Sequence, residues 1–113
     1  MHTLVIKSEL FSKELNRLPK NLHTIVIKSE DFDGYVDKLP ESLHTMVIKS
    51  KDFNQELYEL PESLRILEIK SEKFNQSINK LPSNLEKLTI ASIDFNQNTS
   101  NNCDNLKLRI SHW

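Results

Sequence analysis

The side chains in this sequence with the clearest chemical potential are four lysines spaced 21 residues apart. They are Lys7, Lys28, Lys49 and Lys70. A row of this kind could bind carboxylate or phosphate groups. Phosphate binding needs uncompensated positive charge, however, and the chain has 16 acidic against 15 basic residues, a net charge of −1. This balance gives no electrostatic case for a nucleic-acid or membrane partner.

Two weaker combinations could bind a metal or catalyse a reaction. His2, His23 and His44 share the 21-residue spacing, so two imidazoles on neighbouring strands could share a metal, but duplication of a surface residue explains the spacing equally well. Cys103 is the only cysteine, and nothing places His112 beside it as a base. The single cysteine and single glycine exclude an internal disulfide, multi-cysteine zinc sites and glycine-rich phosphate loops. We therefore predict no enzyme activity, no cofactor and no metal site.

The 21-residue period extends well beyond these residues and is the strongest signal in the sequence. All five phenylalanines, all four prolines and five of the serines keep it. The phenylalanines are Phe11, Phe32, Phe53, Phe74 and Phe95, and the prolines are Pro19, Pro40, Pro61 and Pro82. The serines are Ser8, Ser29, Ser50, Ser71 and Ser92. Three residue types with one common period indicate a stack of structural repeats.

The repeats predict a single domain over residues 1–113. Its five units begin at Met1, Leu22, Leu43, Leu64 and Leu85. The fifth unit is polar and lacks the Leu-Pro pair, but its aliphatic pattern resumes at Leu108, 20 residues after Leu88. We therefore expect one deletion in this unit and a closing strand near residues 106–111.

Each unit contains a short segment that alternates as a half-buried strand does. In the second unit, Ile25, Ile27 and Ser29 point one way, whereas Val26 and Lys28 point the other. A single strand cannot bury its apolar side, but parallel strands stacked about 4.8 Å apart share a continuous core. We expect the phenylalanines in that core, and the inward serines to satisfy backbone groups of the adjacent turn. The proline-containing return segment is too short for a full helix, which leaves extended or 3-10 structure.

The repeat resembles known families. The L-x-x-L-x-I strand signature is similar to that of leucine-rich repeats. Phe53-Asn54-Gln55 and Phe74-Asn75-Gln76, followed by Leu60-Pro61-Glu62-Ser63-Leu64 and its counterpart at 81–85, resemble the FNIP-repeat branch found in social amoebae and amoeba-infecting giant viruses. The resemblance implies a right-handed leucine-rich-repeat solenoid with a parallel β-sheet on the concave face and extended or 3-10 segments on the convex face. It also implies a role in binding proteins.

We therefore predict a non-catalytic scaffold that binds a protein partner through the concave sheet. Its outward columns combine apolar and basic side chains, which suit an acidic or amphipathic segment. The predicted contact residues are Thr24, Val26, Lys28, Thr45, Val47, Lys49, Ile66, Glu68 and Lys70. The plainer alternative is a solvated sheet whose lysines oppose edge-to-edge aggregation. A second class of function, nucleic-acid binding, would use the lysine row at positions 7, 28, 49 and 70.

Relatives with an F-box before the repeats suggest another alternative, a substrate-recognition module of a ubiquitin-ligase complex whose adaptor part is absent here. Because the repeats start at Met1 with no capping element, the strand within residues 1–8 should have an open edge. We expect either a homodimer through that end or a fragment of a longer protein. No signal peptide opens the chain and no apolar run approaches about 18 residues, so we expect a cytoplasmic protein, in the host cytoplasm if it is viral.

Overall fold

A six-stranded parallel sheet runs through the computed structural model, which describes residues 3–7, 18–36, 38–101, 103 and 105–112. Within that part of the chain, the strands follow one another in sequence order across the sheet. They are β1 (Thr3–Lys7), β2 (Thr24–Lys28), β3 (Thr45–Lys49), β4 (Ile66–Lys70), β5 (Lys87–Ala91) and β6 (Lys107–Ser111). The predicted repeat solenoid with a parallel sheet is confirmed.

The register of the strands follows the repeat of the sequence. Ile25 pairs with Met46, so that neighbouring strands align residues that are 21 positions apart. At the last pair the offset falls to 20, because Leu88 pairs with Leu108. Lys107–Ser111 therefore forms a sixth strand, and its offset from β5 is one residue shorter than the 21-residue repeat. A slip of one residue would have turned the aliphatic side chains of β6 to the other side of the sheet.

Alternation along each strand separates the core from the exposed side. In β2 the side chains of Ile25 and Ile27 are fully buried, whereas Thr24 and Val26 are half-buried and Lys28 is exposed. The buried strand residues join one continuous cluster with residues of the return segments, such as Val36 and Leu39. One layer of side chains therefore lies between the sheet on one side and the return segments on the other.

The phenylalanines form the predicted ladder inside this layer. Phe32, Phe53 and Phe74 are fully buried, and Phe95 is almost so. Successive rings lie 5.7, 5.9 and 6.0 Å apart between centroids and are parallel to within 5°. Such stacked pairs stabilise beyond the burial of their area by roughly 0.5–1.5 kcal/mol each. Phe11, the first member expected from the sequence, lies outside the described residues.

The return segments are extended and contain turns, and no helix occurs among the described residues. Each Leu-Pro pair is followed by one turn in which a leucine N–H donates to the proline carbonyl three residues earlier, as in Leu43 to Pro40 at 3.1 Å and Leu64 to Pro61 at 3.1 Å. The predicted extended conformation is confirmed. The sequence also allows a 3-10 helix here, but the described units have only this single turn, because the next residues already enter the following strand.

The repeated serine is inward and buried, as predicted, but its partners belong to the preceding unit. The Ser71 hydroxyl lies 2.8 Å from the carbonyl oxygen of Phe53 and 3.1 Å from that of Lys51. Ser50 and Ser92 make the same pair of contacts one unit before and after. The serine therefore links adjacent units at the end of each strand, where an unsatisfied carbonyl would be costly. Ser8 lies outside the described residues.

Candidate functional site

The predicted contact residues share one face of the sheet, on the side away from the core. The first, third and fifth residues of each strand form three rows across the strands, because the register is parallel and regular. We call this surface the exposed sheet face. Over β2, β3 and β4 its rows are Thr24, Thr45 and Ile66; Val26, Val47 and Glu68; and Lys28, Lys49 and Lys70. The fold thus brings all nine predicted residues to one surface.

The middle row gives this surface an apolar strip. Val26 and Val47 are neighbours in the register and are both half-buried, and Val5 continues the row on β1 with 48% of its area exposed. Lys28 and Lys49 flank the strip and are exposed. A lysine can lay its methylene groups along an apolar surface and keep its ammonium group in water. The strip can therefore accept aliphatic side chains while the lysines meet charged ones.

The exposed sheet face also carries most of the positive charge of the strands. Within the strand bounds there are seven basic residues and one acidic residue, a formal charge of +6. The rest of the chain consequently carries −7, although the protein as a whole is nearly neutral at −1. Glu68 is the single acidic residue in the strands, and its carboxylate lies 3.5 Å from the Lys70 ammonium group. Among the described residues, no ion pair engages Lys28 or Lys49.

A shallow groove lies where the lysine row meets the carboxyl ends of β3 and β4. Its volume is about 380 Å³, and it is lined by Lys49, Lys70, Ser50 and Glu30. The ion pair of Lys51 and Glu72, whose charged atoms are 3.8 Å apart, completes the lining. The Ser50 hydroxyl is occupied by carbonyl oxygens of the preceding unit. The groove can therefore receive a carboxylate through its lysines, and it offers no activated nucleophile.

The repeated Asn-Gln pair has a structural role that the sequence did not reveal. The Asn54 side-chain oxygen accepts hydrogen bonds from the Asn75 backbone N–H at 2.8 Å and from Gln76 Nε2 at 3.1 Å. Gln76 Nε2 also donates to the Asn54 carbonyl oxygen at 3.1 Å. The same three bonds recur in the next unit, and Asp33 provides the acceptor in the second unit. This amide ladder explains the spacing of the motif without a ligand.

The histidine and cysteine candidates do not assemble a site in the part of the chain that the structure describes. No group of three or more histidine, cysteine, aspartate or glutamate residues there could hold a metal ion. His44 is exposed, and its Nδ1 lies 3.3 Å from the Thr45 hydroxyl. Cys103 is half-buried and donates its thiol hydrogen to the Pro82 carbonyl oxygen at 3.2 Å. His2 lies outside the described residues.

Two exposed tyrosines were not among the functional residues that the sequence predicted. Tyr35 and Tyr58 are the only tyrosines in the chain, and both line one cavity among the return segments. They occupy different positions within their units, so a search for residues that recur at the repeat period passes over them. They could have been found by the opposite criterion, namely an aromatic residue that does not recur at the 21-residue period.

Comparison with known proteins identifies the repeat. The family model described as FNIP Repeat matches residues 53–92. This segment is therefore similar to the FNIP repeat. It spans β4 and β5 and contains two consecutive members of the phenylalanine ladder, Phe53 and Phe74. No curated protein and no solved structure gives a significant match to the chain.

Strands with the same spacing precede and follow the matched FNIP segment, so its architecture continues across the described sheet. In the described part of the chain, no helix has the length and hydrophobicity that crossing a bilayer requires. An origin in amoebae or their viruses and a cytoplasmic location stay predictions.

Proposed function

We propose that this FNIP-repeat protein is a non-catalytic scaffold and that it binds an acidic, amphipathic segment of a partner protein on the exposed sheet face. The observation that supports this most directly is the charge of +6 on the strands, arranged beside a half-buried valine row. Repeat folds present extended surfaces of this kind to protein partners. The central contacts are Lys28 and Lys49 with Val26 and Val47, because the four residues are adjacent on β2 and β3. The two lysines form no ion pair within the described residues.

A partner with alternating acidic and aliphatic residues fits both properties of this surface. Its aliphatic side chains would cover the valine row, and each fully buried methylene group would contribute about 0.8 kcal/mol. Its carboxylates would meet the flanking lysines, which gives orientation and a faster encounter more than raw affinity. Binding should therefore depend on both the apolar and the charged row, and neither alone should suffice.

Nucleic acid is the less suitable partner for the same surface. Proteins that bind single strands stack bases on aromatic side chains, and the six strands contain no aromatic residue. Glu68 in the middle row would also oppose a phosphate backbone, and the lysine row ends at Ala91 on β5. Nucleic-acid binding therefore stays an alternative prediction without structural support. The ubiquitin-ligase role and the homodimer through the N-terminal end likewise stay predictions.

The first test uses charge reversal at matched positions. One variant carries Lys28→Glu and Lys49→Glu on the exposed sheet face, and its control carries Lys38→Glu and Lys80→Glu, two exposed lysines on the return segments. Fluorescence anisotropy would measure binding of synthetic peptides that alternate glutamate with leucine. We expect the face variant to bind at least about tenfold more weakly than the parent, a difference of about 1.4 kcal/mol, and the control to bind as the parent does.

A second variant tests the apolar row without changing charge. Val26→Thr with Val47→Thr preserves shape and β-branching but replaces a methyl group with a hydroxyl at each position. It should also weaken the peptide, with an unchanged far-ultraviolet circular dichroism spectrum. Equal binding by the parent and both face variants would reject the proposal. Tighter binding of a single-stranded oligonucleotide than of the peptide, with a steep loss in salt, would reject it in favour of the nucleic-acid alternative.

A further inference from the structure

A second cavity lies on the opposite side of the core from the exposed sheet face. Its volume is about 330 Å³, at the lower end of the roughly 300–1,000 Å³ typical of small-ligand sites. The return segments of the second, third and fourth units contribute to it, through Tyr35, Glu56 with Tyr58 and Glu59, and Gln76 respectively. No side chain of the strands takes part. It is therefore a separate surface, and an inference about it does not depend on the proposed function.

The two tyrosines give the cavity aromatic walls. Tyr35 is 56% exposed and Tyr58 is 46% exposed, so about half of each residue is accessible to solvent. Neither tyrosine recurs at the repeat period. Glu56 and Ser77 occupy the position of Tyr35 in the next two units, and Asn79 occupies the position of Tyr58 one unit later. The aromatic character of the cavity is therefore local to this place in the solenoid. Exposed tyrosine rings attract cations through their electron-rich faces.

The polar groups of the cavity are predominantly acceptors. Glu56 and Glu59 are exposed carboxylates with no ion pair among the described residues, and no basic residue lines the cavity. Gln55 Nε2 donates to both the carbonyl oxygen and the side-chain oxygen of Asp33, at 2.9 and 3.0 Å.

Gln76 Nε2 is occupied in the same way by Asn54. The amide ladder thus engages Nε2 of Gln55 and of Gln76 as donors, and the side-chain oxygen of each glutamine can only accept. A charge of −2 with additional carbonyl acceptors suits a ligand that is cationic and only donates hydrogen bonds.

We propose that this cavity binds the guanidinium group of an arginine side chain on a basic segment of a partner protein. A guanidinium is planar, stacks on aromatic rings and donates paired hydrogen bonds to a carboxylate. An ammonium group is a compact, strongly hydrated charge that gains less from two tyrosine faces. Free arginine is the poorer ligand, because its own carboxylate would approach Glu56 and Glu59. The carboxylates of Glu56 and Glu59, in a cavity that no basic residue lines, favour the approach of a basic segment.

The experiment uses the two tyrosines as their own reporters. Because the chain has only two, their ring resonances in a proton–carbon correlation spectrum can be assigned with one Tyr58→Phe variant. The probe is N-acetyl-arginine N-methylamide, and its counterparts contain lysine, or citrulline, which has nearly the shape of arginine without the charge. Affinity for a single side chain should be on the order of millimolar. We expect saturable shifts of both tyrosines with the arginine probe, binding at least about fivefold weaker for lysine, and no saturation for citrulline.

Variants of the full-length protein separate the site from general charge effects. Glu56→Gln with Glu59→Gln should weaken the arginine probe by at least about tenfold. The matched control, Asp31→Asn with Glu41→Gln, removes two exposed carboxylates outside the cavity and should bind as the parent does. Tyr58→Leu should also weaken binding. An unsaturable titration, equal affinity for citrulline or lysine, tighter binding of free arginine, or equal loss in the control variant would each overturn the proposal.

Discussion

The stacked phenylalanines provide the sharpest test of the fold, because equivalent rings differ in their surroundings. Phe53 is fully buried and lies between two rings, at 5.7 Å from Phe32 and 5.9 Å from Phe74. Phe95 is 4% exposed and has one described ring neighbour, Phe74, at 6.0 Å. Replacing each with alanine removes the same atoms from different places in the ladder. The difference between the two losses of stability therefore reports on stacking between repeats.

The expected magnitudes follow from burial and from the number of ring pairs. Loss of a buried phenylalanine costs roughly 3–5 kcal/mol, and each stacked pair contributes about 0.5–1.5 kcal/mol beyond its buried area. Phe53→Ala removes two such pairs and leaves a cavity enclosed by neighbouring units. Phe95→Ala removes one pair in a unit with fewer neighbours. We expect Phe95→Ala to cost about 1 kcal/mol less than Phe53→Ala.

Urea unfolding followed by far-ultraviolet circular dichroism would measure both free energies. Because small proteins are stable by only about 5–15 kcal/mol, Phe53→Ala could leave little folded protein. Phe53→Leu and Phe95→Leu form a milder pair that retains apolar volume but removes the rings, and the order of their losses should be the same. Equal losses at the two positions in both pairs, or a larger loss at Phe95, would contradict an energetic role for the ladder between repeats.

Two further changes test the polar links between units, with the same unfolding assay. Ser71→Ala removes the hydroxyl that serves two carbonyl groups of the preceding unit and should cost about 1–3 kcal/mol. The control Ser100→Ala, at an exposed position, should change stability by less than about 0.5 kcal/mol. Asn75→Ala should cost about 1–2 kcal/mol. Asn75→Asp should be tolerated, because Asp33, at the equivalent position, already accepts the same hydrogen bonds from the unit that follows it. An equal loss of stability in Ser71→Ala and its serine control, or in Asn75→Ala and Asn75→Asp, would contradict these structural roles.

The sequence predicted the strands and their register because one period controls several residue types at once. The inward positions of a unit, such as Ile25 and Phe32, must be apolar in every copy, so they recur visibly. The deletion before β6 was visible for the same reason, since Leu108 resumes the pattern one residue early. The strand and its inward positions depend only on position within a unit, so the sequence of any one unit is enough to predict them.

The partners of the polar residues were less accessible, because they lie in other units. The sequence predicts that the buried serine serves the adjacent turn, but Ser71 contacts carbonyl groups of the preceding unit. The Asn-Gln pair resembles a family motif in the sequence, and only the structure shows that it links two units. The tyrosine cavity was invisible for a stronger reason. Tyr35 and Tyr58 occupy non-equivalent positions in two units, so only the folded stack shows that they line one space. A repeat pattern identifies the residues that all units share, but it does not show a cavity that forms between residues at non-equivalent positions.

Net charge was similarly uninformative about the surfaces of this protein. A formal charge of −1 suggested no electrostatic preference, yet the strands carry +6 and the remaining residues −7. Partners respond to the local field of a surface, so the near-neutral total conceals the positive charge that the strands present. The inward and amide-ladder positions are committed to holding units together, which restricts variation to the outward strand positions and to return-segment positions such as Tyr35. These variable positions supply the side chains that distinguish each proposed site, such as Val26 and Lys28 on the sheet and Tyr35 and Glu56 in the cavity, and the register of the sheet fixes one site relative to the other.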